Sequence, residues 1–211
     1  VALLSPRSLL RLGFEQLVVE APVLELRRDA AGRIHLAGLE AAAADDGHRA
    51  ADWVFSQREL VVRDATVRWR DALARTADVE LRAADLVIRN GRRRHLIRLD
   101  ATPPPEWGER FSLRAVMRQS LLNPRRGSWR EWDGQLYADL PRGDLARLRP
   151  QIGPAGEWAT ALQSGQGAVR LWADVVHGDV LGGTLDLALR EVSVRVGAHA
   201  PLALAQLQGR L

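Results

Sequence analysis

Residues 60–70, LVVRDATVRWR, set two short apolar-alternating stretches on either side of a small polar joint, and the same arrangement recurs along the chain. Val67 and Trp69 alternate with Thr66, Arg68 and Arg70, which is the two-residue period of a strand with one buried face. Residues 17–26 (LVVEAPVLEL) and 187–196 (LALREVSVRV) repeat the unit in register, and 79–88 (VELRAADLVI) is a looser copy. The joint Arg63-Asp64-Ala65 is too short for a helix and lacks the Asn-Gly or Asp-Gly of a tight hairpin. It reads as a β-bulge or corner, or as the end of a helix running into a strand. Repeated units of this kind form arrays in which each covers its neighbour's apolar side. Look-alike strands also arise in any antiparallel sheet, so both readings stand at this point.

Carried along the chain, the same pattern predicts strands at 14–19 and 23–27, parted by Ala21-Pro22, and a hairpin loop at 28–33 leading into 34–36. A helix is predicted over about 47–57, led by Asp45-Asp46, with Ala50, Trp53 and Val54 on one side and Trp53 and Phe55 as anchors on the sheet. Strands follow at 79–82 and 86–90, then a tight turn at Asn90-Gly91 and a return through Ile97, Leu99 and Ala101. Thr102-Pro103-Pro104-Pro105 makes a stiff connector. Later strands are predicted at 111–117, 132–140, 168–176, 181–189, 192–196 and 204–211, with a turn at His177-Gly178-Asp179 and a loop at 122–127. Short helical pieces are predicted at 8–12, at 145–149 behind a cap at Asp144, and at 157–163.

The sum is roughly ten mostly antiparallel strands with two or three short helices. The fold class is mainly β: a large curved antiparallel sheet forming an open groove, with a β-sandwich as the alternative. So many half-apolar strands need a cover, and the helices can supply only part of it. The chain is read as one segment over 1–211, with a possible sub-boundary near 120–130.

Composition changes this picture little. The 211 residues can bury a sizeable core, and the absence of cysteine excludes disulfides and thiolate metal sites while leaving the redox compartment open. All thirty basic residues are arginine, yet the net charge is only +4 and acids alternate with the arginines, as on a solvated sheet face. Nucleic-acid binders concentrate basic charge on one face, so nucleic acid is not expected as a partner. No apolar run is long enough to cross a membrane, and no signal-peptide pattern opens the sequence. The beginning at Val1 and the strand-like close at Leu211 suggest a piece of a longer protein, whose remainder would be a partner of this segment.

Candidate chemistry is sparse. There is no nucleophile elbow, no paired histidine spacing and no phosphate-binding glycine loop, and Gly165-Gln166-Gly167 is too slight for a dinucleotide fingerprint. The expectation is a non-enzyme without cofactor or metal. His35, His48, His95, His177 and His199 are scattered singly and read as surface or turn residues. Arg92-Arg93-Arg94 could meet phosphate, though a solvated turn is the simpler reading. Trp69 and Trp132 are in phase with their strands' apolar positions and belong to the core, whereas Trp172 is out of phase and faces the other surface.

Several stretches carry a family resemblance: APVLELRRDAAGRIHLAGL (21–39), DWVFSQRELVVRDATVRWRD (52–71), NGRRRHLIRLDATPP (90–104) and WREWDGQLYADLPRGDL (129–145). The chain resembles the YhdP branch of the AsmA-like family of Gram-negative envelope proteins. The resemblance implies a long periplasmic protein anchored in the inner membrane, whose curved sheet forms an apolar groove conducting phospholipid toward the outer membrane. It carries no catalytic residues. Its functional surface is a face, and the in-phase apolar positions of this sequence are the lipid-facing candidates: Val67, Trp69, Leu81, Ile88, Ile97, Leu99, Leu113, Leu136, Leu171, Leu185, Leu187 and Val194. The partners so implied are phospholipid acyl chains. The alternative is a structural or protein-interaction β module of the envelope, with Trp172 meeting a partner.

Overall fold

The computed structural model describes residues 2–3, 14–30, 34–36, 47–73, 78–120, 129–152, 162–195 and 199–211. Among them, twelve strands join into one sheet: β1 (Ala2–Leu3), β2 (Gln16–Glu20), β3 (Val23–Arg28), β4 (Ile34–Leu36), β5 (Glu59–Asp71), β6 (Val79–Asn90), β7 (Arg94–Thr102), β8 (Phe111–Gln119), β9 (Trp132–Asp144), β10 (Leu162–Val176), β11 (Asp179–Val194) and β12 (Leu202–Arg210). Two helices, α1 (Gly47–Ser56) and α2 (Leu145–Ile152), and a 3-10 turn at Trp129–Glu131 accompany them. The strand order is β1-β2-β5-β6-β7-β8-β9-β10-β11-β12, with β3 alongside β5 and β4 beyond β3. The two edges never meet. The sheet is therefore an open, curved trough, neither a closed barrel nor a sandwich.

From β5 to β12 every neighbour pairs antiparallel. The exception to the antiparallel expectation is the other edge of β5, which takes β2 and β3 end to end and parallel. Their register is the sequence repeat itself: Leu17 lies opposite Leu60, Val19 opposite Val62, Leu24 opposite Val67 and Leu26 opposite Trp69. The offset is 43 residues throughout, and it recurs in the side-chain bonds Gln16–Glu59, Arg58–Glu15 and Arg63–Glu20. Two copies of one pattern thus lie side by side, so every apolar position meets an apolar one.

The joint is a bulge. Ala21 (φ 47°), Asp64 (φ 50°), Ala83 (φ 46°) and Glu191 (φ 52°) all adopt the left-handed conformation, and each is the fifth residue of its copy. The ladders slip at Asp64 and Ala83 between β5 and β6, again at Ala83 between β6 and β7, and at Glu191 between β10 and β11. The slip has a purpose legible in the pattern. Leu60 and Val62 are out of phase with Ala65, Val67 and Trp69, and one extra residue returns both sets to the same face. A left-handed L-residue costs about 1–2 kcal/mol, and local bonds hold it. The Asp64 amide donates to Asp85 Oδ1 (3.0 Å), while Arg110 donates to Asp85 Oδ2 (2.8 Å) and to the Ala83 carbonyl (2.6 Å).

Several predicted boundaries move for the same reason. Residues 79–90 and 179–194 form one strand each rather than two, because a bulge bends a ladder without ending it. Asn90-Gly91 is not a tight turn: neither residue has positive φ, and the chain loops through 91–94 with the Gly91 amide donating to the Arg94 carbonyl. The Asn90 side chain is used instead as a bridge, its Oδ1 to His95 Nδ1 and its Nδ2 to the Gln57 carbonyl. The two-residue turn lies at His177 (φ 53°) and Gly178 (φ 78°). Asp144 caps α2 through the Ala146 and Arg147 amides, and the helix continues past Pro150 to Ile152. Leu162 and Gln163, predicted helical, begin β10. The helical turn at 8–12, the pair Asp45-Asp46, the loop at 122–127, residues 157–161 and most of the possible boundary near 120–130 lie outside the described residues. β8 and β9 pair directly on either side of 121–128.

Candidate functional site

Register sorts the side chains of this sheet into two faces, since directly opposed residues project to the same side. On one face, rows run across the strands. One row is Leu60, Ile88, Ile97, Ala115, Leu136 and Ala173; the next is Val62, Leu86, Leu99, Leu113, Ala138, Leu171 and Leu185; a third is Ala65, Ala84, Ala101, Phe111 and, farther along, Leu140, Val169 and Leu187. This is the apolar face. Alanines and the close-packed Gly134, Gly143 and Gly183 recur on it, as a concave surface requires: a Cβ at Gly134 would stand 2.2 Å from the Val116 carbonyl oxygen.

The described residues cover the apolar face only in part. At one end of the strands, Val54 and Phe55 of α1 pack against the cluster of Leu60, Val62, Ala65, Ala84, Ile88 and Ala101. Phe55 also meets Trp132 edge-on (5.3 Å) and Trp129 (6.0 Å). Trp53, predicted as a sheet anchor, instead stands 39% exposed with its edge against Phe14, because the helix turns only the Phe55 side to the sheet. At the far strands, Leu145 of α2 packs on the cluster of Leu162, Leu185, Leu187, Leu189 and Val192. Between these covers, Leu86, Leu99, Leu113, Ala138 and Leu171 stay half-buried, while the ends of their row, Val62 and Leu185, are buried. The row crosses seven strands, about 29 Å at ~4.8 Å per strand.

Of the twelve positions singled out from the sequence, eleven lie on this face by register, and Val194 packs against the same far-strand cluster. They are not equally accessible. Ile88, Leu185 and Leu187 are buried against the chain's own side chains, whereas Val67, Trp69, Leu81, Ile97, Leu99, Leu113, Leu136, Leu171 and Val194 are half-buried. Leu86, Ala138, Leu140 and Val169 belong to the same surface and were not singled out. The signal was available for Leu86, which is in phase with Ile88 in its copy of the unit.

Polar groups close the trough at its ends. Beside Trp69, Asp71 is buried and held by Arg28, whose guanidinium also lies 5.9 Å from the Trp69 ring. Under α1, His95 is buried and stacked on Trp132 at 3.6 Å, contrary to the expectation of a surface or turn histidine; its phase places it inward at the level of Met117. Burial holds its imidazole below the ordinary range, and hydrogen bonding by Gln119 opposes this only partly. Among the described residues, the indole nitrogens of Trp129 and Trp132 are buried without hydrogen-bond partners. Among the described residues no group of acidic or histidine side chains could hold a metal ion.

The opposite face is charged and mostly paired with itself. Arg68 meets Glu80 and Glu25, Arg70 meets Asp78, Arg89 meets Glu59, Arg170 meets Asp139, and Arg210 meets Asp186. Hydrogen bonds from Arg89, from Arg82 and Arg68, and from Arg210 lower the pKa of Glu59, Glu80 and Asp186 respectively. A depression of about 430 Å³ on this face is floored by Val61 and Val87 and rimmed by Glu59, Arg63, Asp85, Arg89, Arg98 and Asp100. Its main charges already neutralise one another, so it calls for no ligand. Trp172 projects to this side, 39% exposed and 5.2 Å from Tyr137, while Trp69 and Trp132 lie on the apolar face.

A family model described as YhdP protein matches residues 4–211. No curated protein and no solved structure matches the chain.

Proposed function

Since the chain belongs to the YhdP family, we propose that this segment is a non-enzymatic stretch of a lipid-holding trough, taking phospholipid acyl chains on its apolar face. The observation that carries the reading is the half-buried row Leu86, Leu99, Leu113, Ala138 and Leu171, apolar across the strands and open between its covers. An apolar strip of that kind costs free energy while it faces water, roughly 25 cal/mol per Å², and an acyl chain laid along it removes the cost. Its length suits the occupant. The open part of the row, from Leu86 to Leu171, crosses five strands, about 19 Å at ~4.8 Å per strand, close to the ~15 Å that one acyl chain takes up in half of a ~30 Å hydrocarbon core.

The self-paired charges over most of the reverse face support the same reading, because they suit that side of the trough to water. Phospholipid conduction between inner and outer membrane, a periplasmic location and attachment to the inner membrane through a longer chain belong to this proposal. No helix among the described residues is long and apolar enough to cross a membrane. Native mass spectrometry of the purified protein, with extraction and identification of bound lipid, tests the reading. Phospholipid retained at defined stoichiometry is expected, and a protein that carries none and takes none up from vesicles would reject it.

A further inference from the structure

We propose that the charged face carries a docking surface for an anionic bilayer, built on β7 to β10. Over most of that face, opposed side chains have opposite charge: Arg68 with Glu80, Glu59 with Arg89, Arg170 with Asp139, Asp186 with Arg210. Between β7 and β8 the rule breaks. Arg94 lies directly opposite Arg118 and Arg98 opposite Arg114. Like charges directly opposed destabilise a sheet. Arg98 is met by Asp100, but Arg94, Arg114 and Arg118 have no ion pair among the described residues. Asp133, across from Arg118, accepts the His177 amide at 2.9 Å instead. Two other like-charged pairs, the acids Asp85 and Asp100 and the arginines Arg27 and Arg70, are no parallel case, because Arg110 and Arg98 meet the acids and Asp78 meets Arg70, whereas Arg94 and Arg118 are both unmatched among the described residues.

The arginines frame apolar side chains. Leu96 and Val116 face each other between the two arginine pairs, 38% and 37% exposed, and Arg114 stands opposite Tyr137, which stands opposite Trp172. Guanidiniums beside exposed aliphatic side chains and amphipathic aromatic rings match the headgroup zone of a bilayer, where cations meet phosphate and Trp and Tyr sit at the boundary. Size favours a membrane over a protein partner. Four strands by one arginine spacing make roughly 200–300 Å², well below the ~800 Å² per side of a stable protein interface. A bilayer needs no such continuous fit. The inference does not rest on the lipid trough, which is the other face of the sheet.

Co-sedimentation with vesicles tests it. The protein is expected to pellet with vesicles of equimolar phosphatidylcholine and phosphatidylglycerol, to stay in solution with pure phosphatidylcholine, and to lose binding as salt screens the charges. Arg114→Gln with Arg118→Gln should lower partitioning by about tenfold or more, without loss of thermal stability since like charges are removed. Trp172→Ala should weaken partitioning as well, and Arg82→Gln, on the same face but outside the patch, should not. Equal binding to neutral vesicles, undiminished binding by the double variant, or capture of poly-glutamate in preference to vesicles would overturn the proposal. A Leu113→Glu variant separates the faces: it should bind anionic vesicles normally even where lipid uptake into the trough is lost.

Discussion

Single residues in this chain are constrained by which way the backbone turns and by what lies over them. Ala83 holds φ 46° at a bulge, where its Cβ works against the backbone. Ala83→Gly is expected to leave stability unchanged or raise it by up to about 1 kcal/mol, the relief of strain exceeding the entropy of glycine. Ala83→Val should cost about 1–2 kcal/mol by chemical denaturation, since a β-branched side chain fits that conformation least. His95 is constrained by burial. Its folded pKa lies below the ordinary value of about 6.5, so on acidification the unfolded chain takes up the proton first. Stability present at neutral pH therefore declines from about pH 6.5 down through the folded pKa. Melting temperature should fall over that window, and His95→Phe, which keeps a ring against Trp132, should flatten the fall; equal slopes would assign it elsewhere.

At the scale of an element, the bulged corner of β5 and β6 depends on one carboxylate. Asp85 accepts both the Asp64 amide and Arg110, and Arg110 reaches on to the Ala83 carbonyl. Asp85→Ala leaves the Asp64 amide to water, at an expected cost of about 1–2 kcal/mol. Hydrogen exchange should locate the loss, with amides of residues 60–67 and 81–86 exchanging faster and those of β10 and β11 unchanged. Uniform loss of protection would show that the corner is not a separate unit. The parallel pairing of β2 and β3 with β5 belongs to this scale too. It was written in the repeat at an offset of 43 residues, yet a repeat alone does not say whether two copies pair with each other or each with some third strand.

For the whole molecule, the question is why a sheet of this size stays open on one apolar side. Among the described residues, two short helices meet the sheet and the middle row is left half-buried. Leu113 is central to that row. A core leucine replaced by glutamate would be severely destabilising, but a residue lining an open trough can turn its carboxylate to water. Leu113→Glu is therefore expected to cost about 1–2 kcal/mol in stability, while bound phospholipid measured by extraction falls several-fold. Loss of folding instead would mean the row is core, and unchanged lipid content would place the lipid elsewhere.

Much of this was legible beforehand. Two-residue alternation marked nearly every strand and the apolar face of each, because a half-buried strand writes its orientation into its own residues. The joint in residues 60–70 read from the sequence as a bulge, a corner or the end of a helix, and the pairing of β5 with β6 makes it a bulge. Trp69, Trp132 and Trp172 were assigned to faces by phase alone. Other features lay beyond the pattern: the left-handed φ at the fifth residue of each unit, the burial of His95 on Trp132, and the loop through 91–94 where Asn90-Gly91 promised a turn. Each depends on a neighbour distant in sequence. Alternation determines which side a residue faces; strand order, cover and the facing of Arg94 on Arg118 arise only when strands are brought together, because those are properties of pairs.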